Sequence, residues 1–408
     1  MRGNALRPPS LASLRAPFGA FVLSAIVMLQ AEATIAPSAA VEATLASAGR
    51  ATAPMPTLPL VGDIVPPRIE GAAGNPAANP RPAATTAEGA RFQAALDAAR
   101  AAAGAYGVTF AAVRDGQVIW AGSSGRMRDG RTDLHPDDPM VIGSVTKTFV
   151  AATVMQLVEE GRLRLDDPVR KHLPELRGIV SPKITVRQLL DHTSGLADLF
   201  NDTTRRGLEE HPERAWTSTE VLRTLHAPWY RPGEGWAYAN TNYRLLAMIV
   251  ERVTGEPLES EVGRRFLGPL ALESTRMLTA TDGAGPLSPA WATIFWGSGA
   301  MSASAPDLAR WGDALLDGSL LSAETRTQMR HVNRHDYALG LQRIELARRV
   351  GYGHTGLLNT YTTLLLHLPN DNVTIAMLVN RTDVDLRGML IKRPDAGGPS
   401  LLRLAIGS

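Results

Sequence analysis

A serine and a lysine stand three residues apart in the segment IGSVTK, at Ser144 and Lys147. On an α-helix, residues three positions apart lie on one face, so these two side chains would point the same way. A serine hydroxyl becomes a good nucleophile only when a neighbouring group accepts its proton. A lysine amine does so when burial lowers its pKa. The alternative, a helix-capping serine followed by a solvated lysine, fits the pair alone equally well.

Two later segments carry groups that transfer protons or hold a substrate. The segment WAYANTNY brings Tyr238 and Asn240 to the start of a predicted helix. The segment GHTG brings His354, Thr355 and Gly356 to a position before a predicted strand. A phenol and an imidazole are common general acids and bases, so these segments are candidates for the rest of a serine enzyme's site.

With these segments in view, and LLDHTSGL between them, the chain resembles the serine β-lactamase and penicillin-binding superfamily. Within it, the chain is more similar to the branch of class C β-lactamases, D-alanyl-D-alanine carboxypeptidases and related esterases. The resemblance covers roughly residues 91–380 and includes RPGEGWAYANTNY and GAMSASAPDLARWGDALLDG. It implies a β-lactamase/transpeptidase-like α+β fold and an acyl-enzyme mechanism.

The resemblance also implies roles for three catalytic residues. Ser144 matches the nucleophile that becomes an acyl ester, and Lys147 matches the lysine that shares its proton. Tyr238 matches the tyrosine of general base catalysis and leaving-group protonation. We expect Lys147 and His354 to lower the pKa of this tyrosine. Without the other motifs, Tyr238 fits a packed aromatic beside Trp236 better than a catalytic group.

The remaining matched positions are expected to bind the substrate. Asn240 matches a side chain that holds the catalytic lysine or the substrate amide, and Thr355 offers a hydroxyl to a substrate carboxylate. His354 stands where many relatives have lysine, which argues against a dedicated β-lactamase. The backbone N–H groups of Ser144 and Leu357, on either side of the cleft, would form the oxyanion hole. Leu357 is bulkier than the small residue usual after the matching Gly356, so we expect an apolar or narrow acyl site.

The elements that must position these groups are readable from the hydrophobic pattern. Apolar residues recur at helical spacing from Ser144 to Glu160, and Gly161 ends that helix. A capping box at Thr217–Glu220 starts another helix, and Asn240 is a candidate cap for the next. GVTFAAVRDGQVIWAGSSG predicts a hairpin near the start of the domain, while YALGLQRIEL, TYTTLLLHL and VTIAMLVN predict three strands near its end. An antiparallel sheet built from both ends of the domain, flanked by helices, satisfies this order.

The chain of 408 residues divides into three predicted parts. Residues 1–33 read as a signal peptide, because basic residues precede a short apolar run and an Ala-x-Ala end; an uncleaved anchor is the alternative. Residues 34–88 are rich in alanine and proline and predict a flexible linker. Residues 89–408 are the predicted hydrolase domain, with a helical subdomain inserted at roughly 165–290. The last 28 residues match the family poorly, because Pro394 and Pro399 break its usual C-terminal helix.

Composition and missing motifs narrow the function. The formal charge of +2 and the lack of a basic run make nucleic acid an unexpected partner. The chain has no cysteine, which excludes disulfides and a cysteine nucleophile. His331 and His335 lack the glutamate of a metalloprotease motif, so a solvated helix face is favoured, and no metal or cofactor is implied. His192 is predicted to be a structural turn residue, with Ser194 bonding locally.

The sequence therefore predicts an exported serine acyl hydrolase, periplasmic or secreted in a bacterium, that forms an acyl ester on Ser144. D-alanyl peptides of the cell wall, or β-lactams that mimic them, are the predicted substrates, and no stable membrane span is expected after signal cleavage. Two alternatives stay open: an esterase for small acyl esters, and a non-catalytic module that binds penicillin or peptidoglycan.

Overall fold

A computed structural model describes residues 86–282 and 285–407. The predicted signal peptide (1–33) and all but the end of the predicted linker (34–88) lie outside the described residues. Within the described ranges, no helix is both long enough and apolar enough to span a membrane.

Nine strands form two antiparallel sheets in the described part of the chain. The strands are β1 (Gly107–Arg114), β2 (Gln117–Gly125), β3 (Met140–Val141), β4 (Arg276–Met277), β5 (Met301–Ala303), β6 (Gln342–Leu346), β7 (Arg349–Leu358), β8 (Tyr361–Leu368) and β9 (Val373–Val379). The large sheet has the order β2-β1-β9-β8-β7-β6, and the small sheet has the order β3-β5-β4. The large sheet is thus built from both ends of the domain, as predicted.

The α-helices of the described residues precede, follow and fill the interval between the two sets of strands. They are α1 (Ala87–Ala103), α2 (Thr146–Glu159), α3 (Val169–His172), α4 (Val186–Leu190), α5 (Asp202–Glu210), α6 (Ser218–Arg223), α7 (Asn240–Thr254), α8 (Leu258–Val262), α9 (Pro289–Gly299), α10 (Ala305–Leu316), α11 (Ala323–Arg330), α12 (Leu386–Ile391) and α13 (Leu401–Ile406). The α+β, β-lactamase/transpeptidase-like fold class is confirmed. The segment 165–290, predicted as a helical subdomain, contains α3 to α8 and the two-residue strand β4.

The large sheet is covered on both faces. Helix α1 packs its apolar face on β1 and β2, and the short helices α12 and α13 pack beside it in the same hydrophobic cluster. Helix α10 lies against β1, β8 and β9 on the opposite face, in the cluster that also contains α2 and α7. Pro394 and Pro399 lie between α12 and α13, so the C-terminus forms two short helices instead of one long one.

A side chain after the last strand fastens the first strand in place. Asn380 follows β9, and its Oδ1 accepts a hydrogen bond from the Gly107 backbone N–H at 2.7 Å. Its Nδ2 donates to the Arg126 carbonyl oxygen at 2.8 Å. The entry into β1 and the exit from β2 are therefore both tied to the end of β9.

Two local features differ from the prediction. The GHTG segment precedes β8, as predicted, but it also lies inside a strand that was not predicted, β7, whose Gly351, Gly353 and Gly356 lower its apparent strand propensity. These glycines have a packing reason, since a Cβ at Gly353 would lie 2.0 Å from the carbonyl oxygen of Leu365 in β8. Asn240 is not a helix cap but the first residue of α7, and its side chain bonds elsewhere.

Candidate active site

Ser144 lies in the middle of a one-turn 3₁₀ helix, Gly143–Val145, directly before α2. Gly143 has φ +52°, and a Cβ there would lie 2.8 Å from the backbone nitrogen of Leu357 in β7. Because no side chain tolerates that distance, glycine lets β7 pass against the turn that holds the serine. The backbone nitrogens of Ser144 and Leu357, the predicted oxyanion-hole donors, thus belong to two segments in direct contact.

Lys147 lies in the first turn of α2 and is fully buried. Its Nζ is 3.1 Å from Ser144 Oγ, 2.8 Å from Asn240 Oδ1 and 2.6 Å from the backbone carbonyl oxygen of Ser298. A neutral amine has two N–H groups and one electron pair. When the two N–H groups donate to the two carbonyl oxygens, the electron pair is left for the proton of the Ser144 hydroxyl.

The environment of Lys147 makes the neutral amine accessible. Burial lowers the pKa of Lys147 from 10.5 to about 7, and the charge of Asp198 opposes that shift. A substantial fraction of the amine is therefore unprotonated near neutral pH. This is the behaviour that the sequence analysis expects of a buried lysine beside a serine.

Tyr238 completes the cluster around the amine, with its ring centroid 4.9 Å from Lys147 Nζ. Its hydroxyl is buried and finds no hydrogen-bond partner at bonding geometry within residues 86–282 and 285–407. Burial raises the pKa of Tyr238 well above 10.0, and the adjacent Ser144 hydroxyl offsets this only in part. The expectation of a lowered pKa is therefore wrong in the free site, where Tyr238 is a neutral phenol.

His354 lies in β7 with its ring centroid 6.2 Å from that of Tyr238. Its Nδ1 is 2.6 Å from the carbonyl oxygen of Thr355, which only accepts, so Nδ1 carries the proton. Nε2 then accepts from the hydroxyl of Tyr337 at 3.0 Å. Burial and the nearby charge of Lys147 lower the pKa of His354 to about 3. The imidazole is neutral, which explains why it does not act as the cation expected beside Tyr238.

Thr355 and Gly356 continue β7 toward the serine. Both the backbone N–H and the hydroxyl of Thr355 donate to Oε1 of Gln342 in β6, each at 3.0 Å. A Cβ on Gly356 would lie 2.0 Å from the carbonyl oxygen of Ile142, so only glycine fits at this crossing. Leu357 follows with 37% of its surface exposed, as a bulky apolar side chain at the edge of the cleft.

The ring of His192 packs against the ring of Tyr238. It is fully buried at φ +62°, and its ring centroid is 4.3 Å from that of Tyr238. Its Nδ1 accepts from the Ala239 backbone N–H at 3.2 Å and contacts Asn242 Nδ2 at 2.9 Å. These contacts fit the predicted structural turn residue. Ser194 bonds locally to the Leu196 N–H and also donates to Asn242 Oδ1, which lies far away in sequence.

All eight predicted site residues belong to this one region or to β7 beside it, and four of its contributors were not predicted. They are Asp198, the carbonyl group of Ser298, Tyr337 and Gln342. Asp198 alone carried a signal, because it is an acidic residue two positions after the end of the LLDHTSGL segment. The other three reach the site only through tertiary packing.

The two histidines that were set aside lie away from these contacts. His335 stacks on Trp236 at 5.0 Å, and it follows the end of α11 instead of lying on a helix face. Among the described residues, no group of three His, Asp or Glu side chains lies close enough to hold a metal ion.

Comparison with known proteins identifies the family. The beta-lactamase family model matches residues 92–393. The chain belongs to the beta-lactamase family of serine hydrolases. Its members share the fold described above, and the wider superfamily includes the penicillin-binding proteins.

Three relatives illustrate the range of activities in this family. Esterase EstB of Burkholderia gladioli is 32% identical over 204 residues, which cover 47% of this chain and 52% of the esterase. A D-stereospecific amidohydrolase from Streptomyces sp. is 32% identical with a TM-score of 0.61, covering 71% of this chain and 94% of the other. An octameric penicillin-binding protein homologue from Pyrococcus abyssi is 25% identical with a TM-score of 0.58, covering 72% and 73%. The chain spans about half the length of the curated esterase that it matches.

Proposed function

We propose that this protein is a serine hydrolase of small neutral esters or amides, acting through an acyl ester on Ser144. The observation that carries the proposal is the buried amine of Lys147, held 3.1 Å from the Ser144 hydroxyl by two carbonyl acceptors. A serine and a base at this distance form an activated nucleophile. A helix cap beside a solvated lysine would bury neither the amine nor its partners.

The reaction follows from the protonation states of the site. Ser144 Oγ attacks the substrate carbonyl carbon, its proton passes to Lys147 Nζ, and the carbonyl oxygen takes the negative charge beside the N–H groups of Ser144 and Leu357. Collapse breaks the bond to the leaving alcohol or amine, which takes a proton from the Tyr238 hydroxyl. The Lys147 ammonium returns a proton to Tyr238. Water then cleaves the acyl ester, releasing the acid and restoring Ser144.

The raised pKa of Tyr238 supports its role as the proton donor. A phenol that holds its proton at neutral pH is able to protonate a leaving amine, whereas a phenolate is not. Among the described residues its hydroxyl has no hydrogen-bond partner at bonding geometry, and the adjacent Ser144 hydroxyl is the group that lowers its pKa, so the phenol lies next to the reacting atom.

The strand beside the serine favours substrates without a free carboxylate. The Thr355 hydroxyl, expected to bind a substrate carboxylate, already donates to Gln342, and the neutral imidazole of His354 adds no charge. The partly exposed Leu357 adds apolar surface at the same edge. The similarity to an esterase and to a D-stereospecific amidohydrolase supports esters and amides as the bonds that are hydrolysed.

D-alanyl peptides and β-lactams are the second candidate substrates. The similarity to a penicillin-binding protein homologue favours them, together with the family's order of motifs. Their use requires Gln342 to release Thr355, because the hydroxyl has a single proton to donate.

We also propose that the enzyme is exported to the periplasm or secreted. The support is the pattern of the first 33 residues, in which arginines precede an apolar run and Ala31-Glu32-Ala33. Mass spectrometry of the mature N-terminus after expression in a bacterium tests this. A chain that keeps its first 33 residues in the cytoplasmic fraction would contradict it.

A substrate panel tests the proposed reaction. The purified protein is offered p-nitrophenyl butyrate, a D-amino acid p-nitroanilide, a D-Ala-D-Ala peptide and a chromogenic cephalosporin. We expect turnover of the ester or the anilide to exceed that of the two carboxylate-bearing substrates. Turnover confined to the peptide or the cephalosporin would overturn the preference for neutral substrates.

The variant Ser144→Ala is the control for the mechanism. We expect it to lose turnover of every substrate and to lose covalent labelling by a fluorophosphonate probe. Equal labelling of the variant would remove Ser144 from the mechanism. Stoichiometric labelling of the parent protein without turnover of any substrate would instead identify a binding module.

A further inference from the structure

Asp198 is a buried carboxylate at the back of the proposed active site. Among the described residues, the hydrogen bonds to its oxygens all come from N–H groups: the backbone N–H of Phe200 at 3.1 Å, the backbone N–H of Asn240 at 3.1 Å, and the Asn240 side-chain amide at 3.1 and 3.3 Å. An ionised carboxylate, which only accepts, fits this set of donors. A protonated one would carry a hydrogen without an acceptor among these contacts.

These contacts fix the orientation of the Asn240 amide. Its NH₂ end is held by Asp198, so its oxygen must face the other way, where it accepts from Lys147 Nζ at 2.8 Å. The resemblance left open whether Asn240 holds the lysine or the substrate. In the free site both ends of the amide are engaged within the protein.

The orientation decides where the electron pair of Lys147 points. With two carbonyl oxygens as acceptors, a neutral amine has its electron pair free for Ser144. A reversed amide would present an N–H donor to that same electron pair and compete with the serine. The remaining titratable groups around the amine are the phenols Tyr238 and Tyr243, with ring centroids 4.9 and 5.5 Å away, and the neutral imidazoles of His192 and His354.

We propose that Asp198 is a positioning residue: it holds the Asn240 amide with its oxygen toward Lys147 and so directs the amine's electron pair at Ser144. The proposal rests on the proposed function only in its effect on rate. Its effect on the amine itself is measurable without any substrate. Asp198 also supplies the negative charge that faces Lys147 from the segment before α5, and this charge opposes loss of the lysine's proton.

The test is Asp198→Asn, which keeps the shape of the side chain and removes its charge. Its new NH₂ group faces the Asn240 NH₂, so we expect the Asn240 amide to reverse. Loss of the charge and reversal of the amide both disfavour the ammonium, so the titration midpoint of Lys147 should fall by about one pH unit or more. The chain has only four lysines, so NMR of protein labelled with ¹³C at lysine Cε resolves this titration directly.

Kinetics and a matched control complete the test. We expect kcat of Asp198→Asn toward the best substrate of the panel to fall about tenfold or more, with KM little changed. Asp307→Asn is the control, because Asp307 is a second buried carboxylate; it accepts from the Ser274 backbone N–H and the Thr275 hydroxyl and pairs with Arg310. It should leave the Lys147 midpoint unchanged.

An unchanged Lys147 midpoint in a folded Asp198→Asn protein would overturn the proposal, whatever the activity. Should that variant not fold, Asn240→Leu removes the same link from its other end and should also lower the midpoint. No shift in Asn240→Leu would likewise overturn the proposal. A lowered midpoint in a protein that hydrolyses none of the four substrates would instead contradict the proposed function alone.

Discussion

A buried cation lies at each end of helix α2: Lys147 in its first turn and Arg265 beside Glu160 at its C-terminal end. The two cations differ in the charge of the groups that surround them. At the N-terminal end, Lys147 Nζ lies within hydrogen-bonding distance of two carbonyl oxygens and the Ser144 hydroxyl, and the pKa of Lys147 is lowered to about 7. At the C-terminal end, Arg265 forms ion pairs with Glu160 and Glu261. Burial alone would lower the pKa of Arg265, but these two carboxylates outweigh burial and raise it.

The difference distinguishes a cation that stabilises the fold, Arg265, from one that is able to exchange its proton, Lys147. A cation paired directly with carboxylates keeps its proton and holds segments together, as Arg265 does between α2 and the turn after α8. A cation held by uncharged acceptors at a helix N-terminus, where the helix dipole is also unfavourable, gives up its proton easily. Direct pairing with a carboxylate is thus what Lys147 lacks, since Asp198 reaches it only through an amide.

The largest effect on activity is expected when Lys147 is replaced by a cation that keeps its proton, as Arg265 does. Lys147→Arg places a guanidinium beside Ser144 that stays protonated at any accessible pH. We expect kcat/KM to fall by about 10⁴-fold, as when other catalytic nucleophile–base pairs are broken. Stopped assays on the best substrate of the panel measure this. A loss of less than tenfold would show that Lys147 does not accept the serine's proton.

The same substitution at both cations should change stability differently. Arg265→Met removes one guanidinium from Glu160, which keeps Arg162, and from the buried Glu261, which keeps Arg264, and we expect the free energy of unfolding to fall by about 1.5–3 kcal/mol. Lys147→Met removes an amine whose burial is unfavourable, so the free energy of unfolding should stay within about 1 kcal/mol of the parent value or rise. Urea unfolding at pH 7 compares them, and equal losses would contradict the distinction.

Within the Lys147 end, two tyrosines provide a matched pair. Both rings face the amine, but the Tyr243 hydroxyl donates to the Leu190 carbonyl oxygen at 3.0 Å, whereas the Tyr238 hydroxyl has no partner at bonding geometry among the described residues and lies next to the Ser144 hydroxyl. Tyr238→Phe should lower kcat about 10²-fold on the anilide and less on the nitrophenyl ester, whose leaving group needs no proton. Tyr243→Phe should stay within a few-fold on both. Equal losses on the ester and the anilide would remove Tyr238 as the proton donor.

The smallest effect is the pH dependence of the parent enzyme. Because the neutral Lys147 amine is the base, kcat/KM should fall about tenfold per pH unit below about pH 7. The folded pKa lies below the unfolded value of 10.5, so the unfolded chain binds more protons between about pH 7 and 10.5. Lys147 therefore makes the free energy of unfolding rise with pH across that window. A pH–rate profile that stays flat from pH 5 to 8 would contradict the assignment.

Much of the fold was predictable, because hydrophobic periodicity and turn residues act locally. The hairpin of β1 and β2, with its turn at Asp115-Gly116, and the capping box at Thr217 are both present. Strand β7 was missed because it contains several glycines, which are rare in strands. They are required because a Cβ would clash with residues distant in sequence, the β8 backbone and the turn at Ile142. Strand propensity does not register such a contact.

The chemistry of the site was predictable in its residue types but not in its electrostatics. The spacing of Ser144 and Lys147 follows from helix geometry, so their contact could be expected. The direction of the Tyr238 pKa shift could not be predicted, because it depends on how completely the fold buries the phenol and on His354 being neutral. Asn240 appeared to be a cap because asparagine often is one, and only tertiary packing gives its amide two better partners.

The pairing of β1 with β9, fastened by Asn380, has a consequence for the time at which the enzyme becomes active. A nascent chain that has left the ribosome as far as α7 already carries the serine, the lysine and the tyrosine. It still lacks β7, and in the large sheet β7 is joined to β1 through β8 and β9, the last two strands of the described residues to be synthesised. We therefore expect the growing polypeptide to be inert until β9 has been synthesised and has paired with β1 and β8.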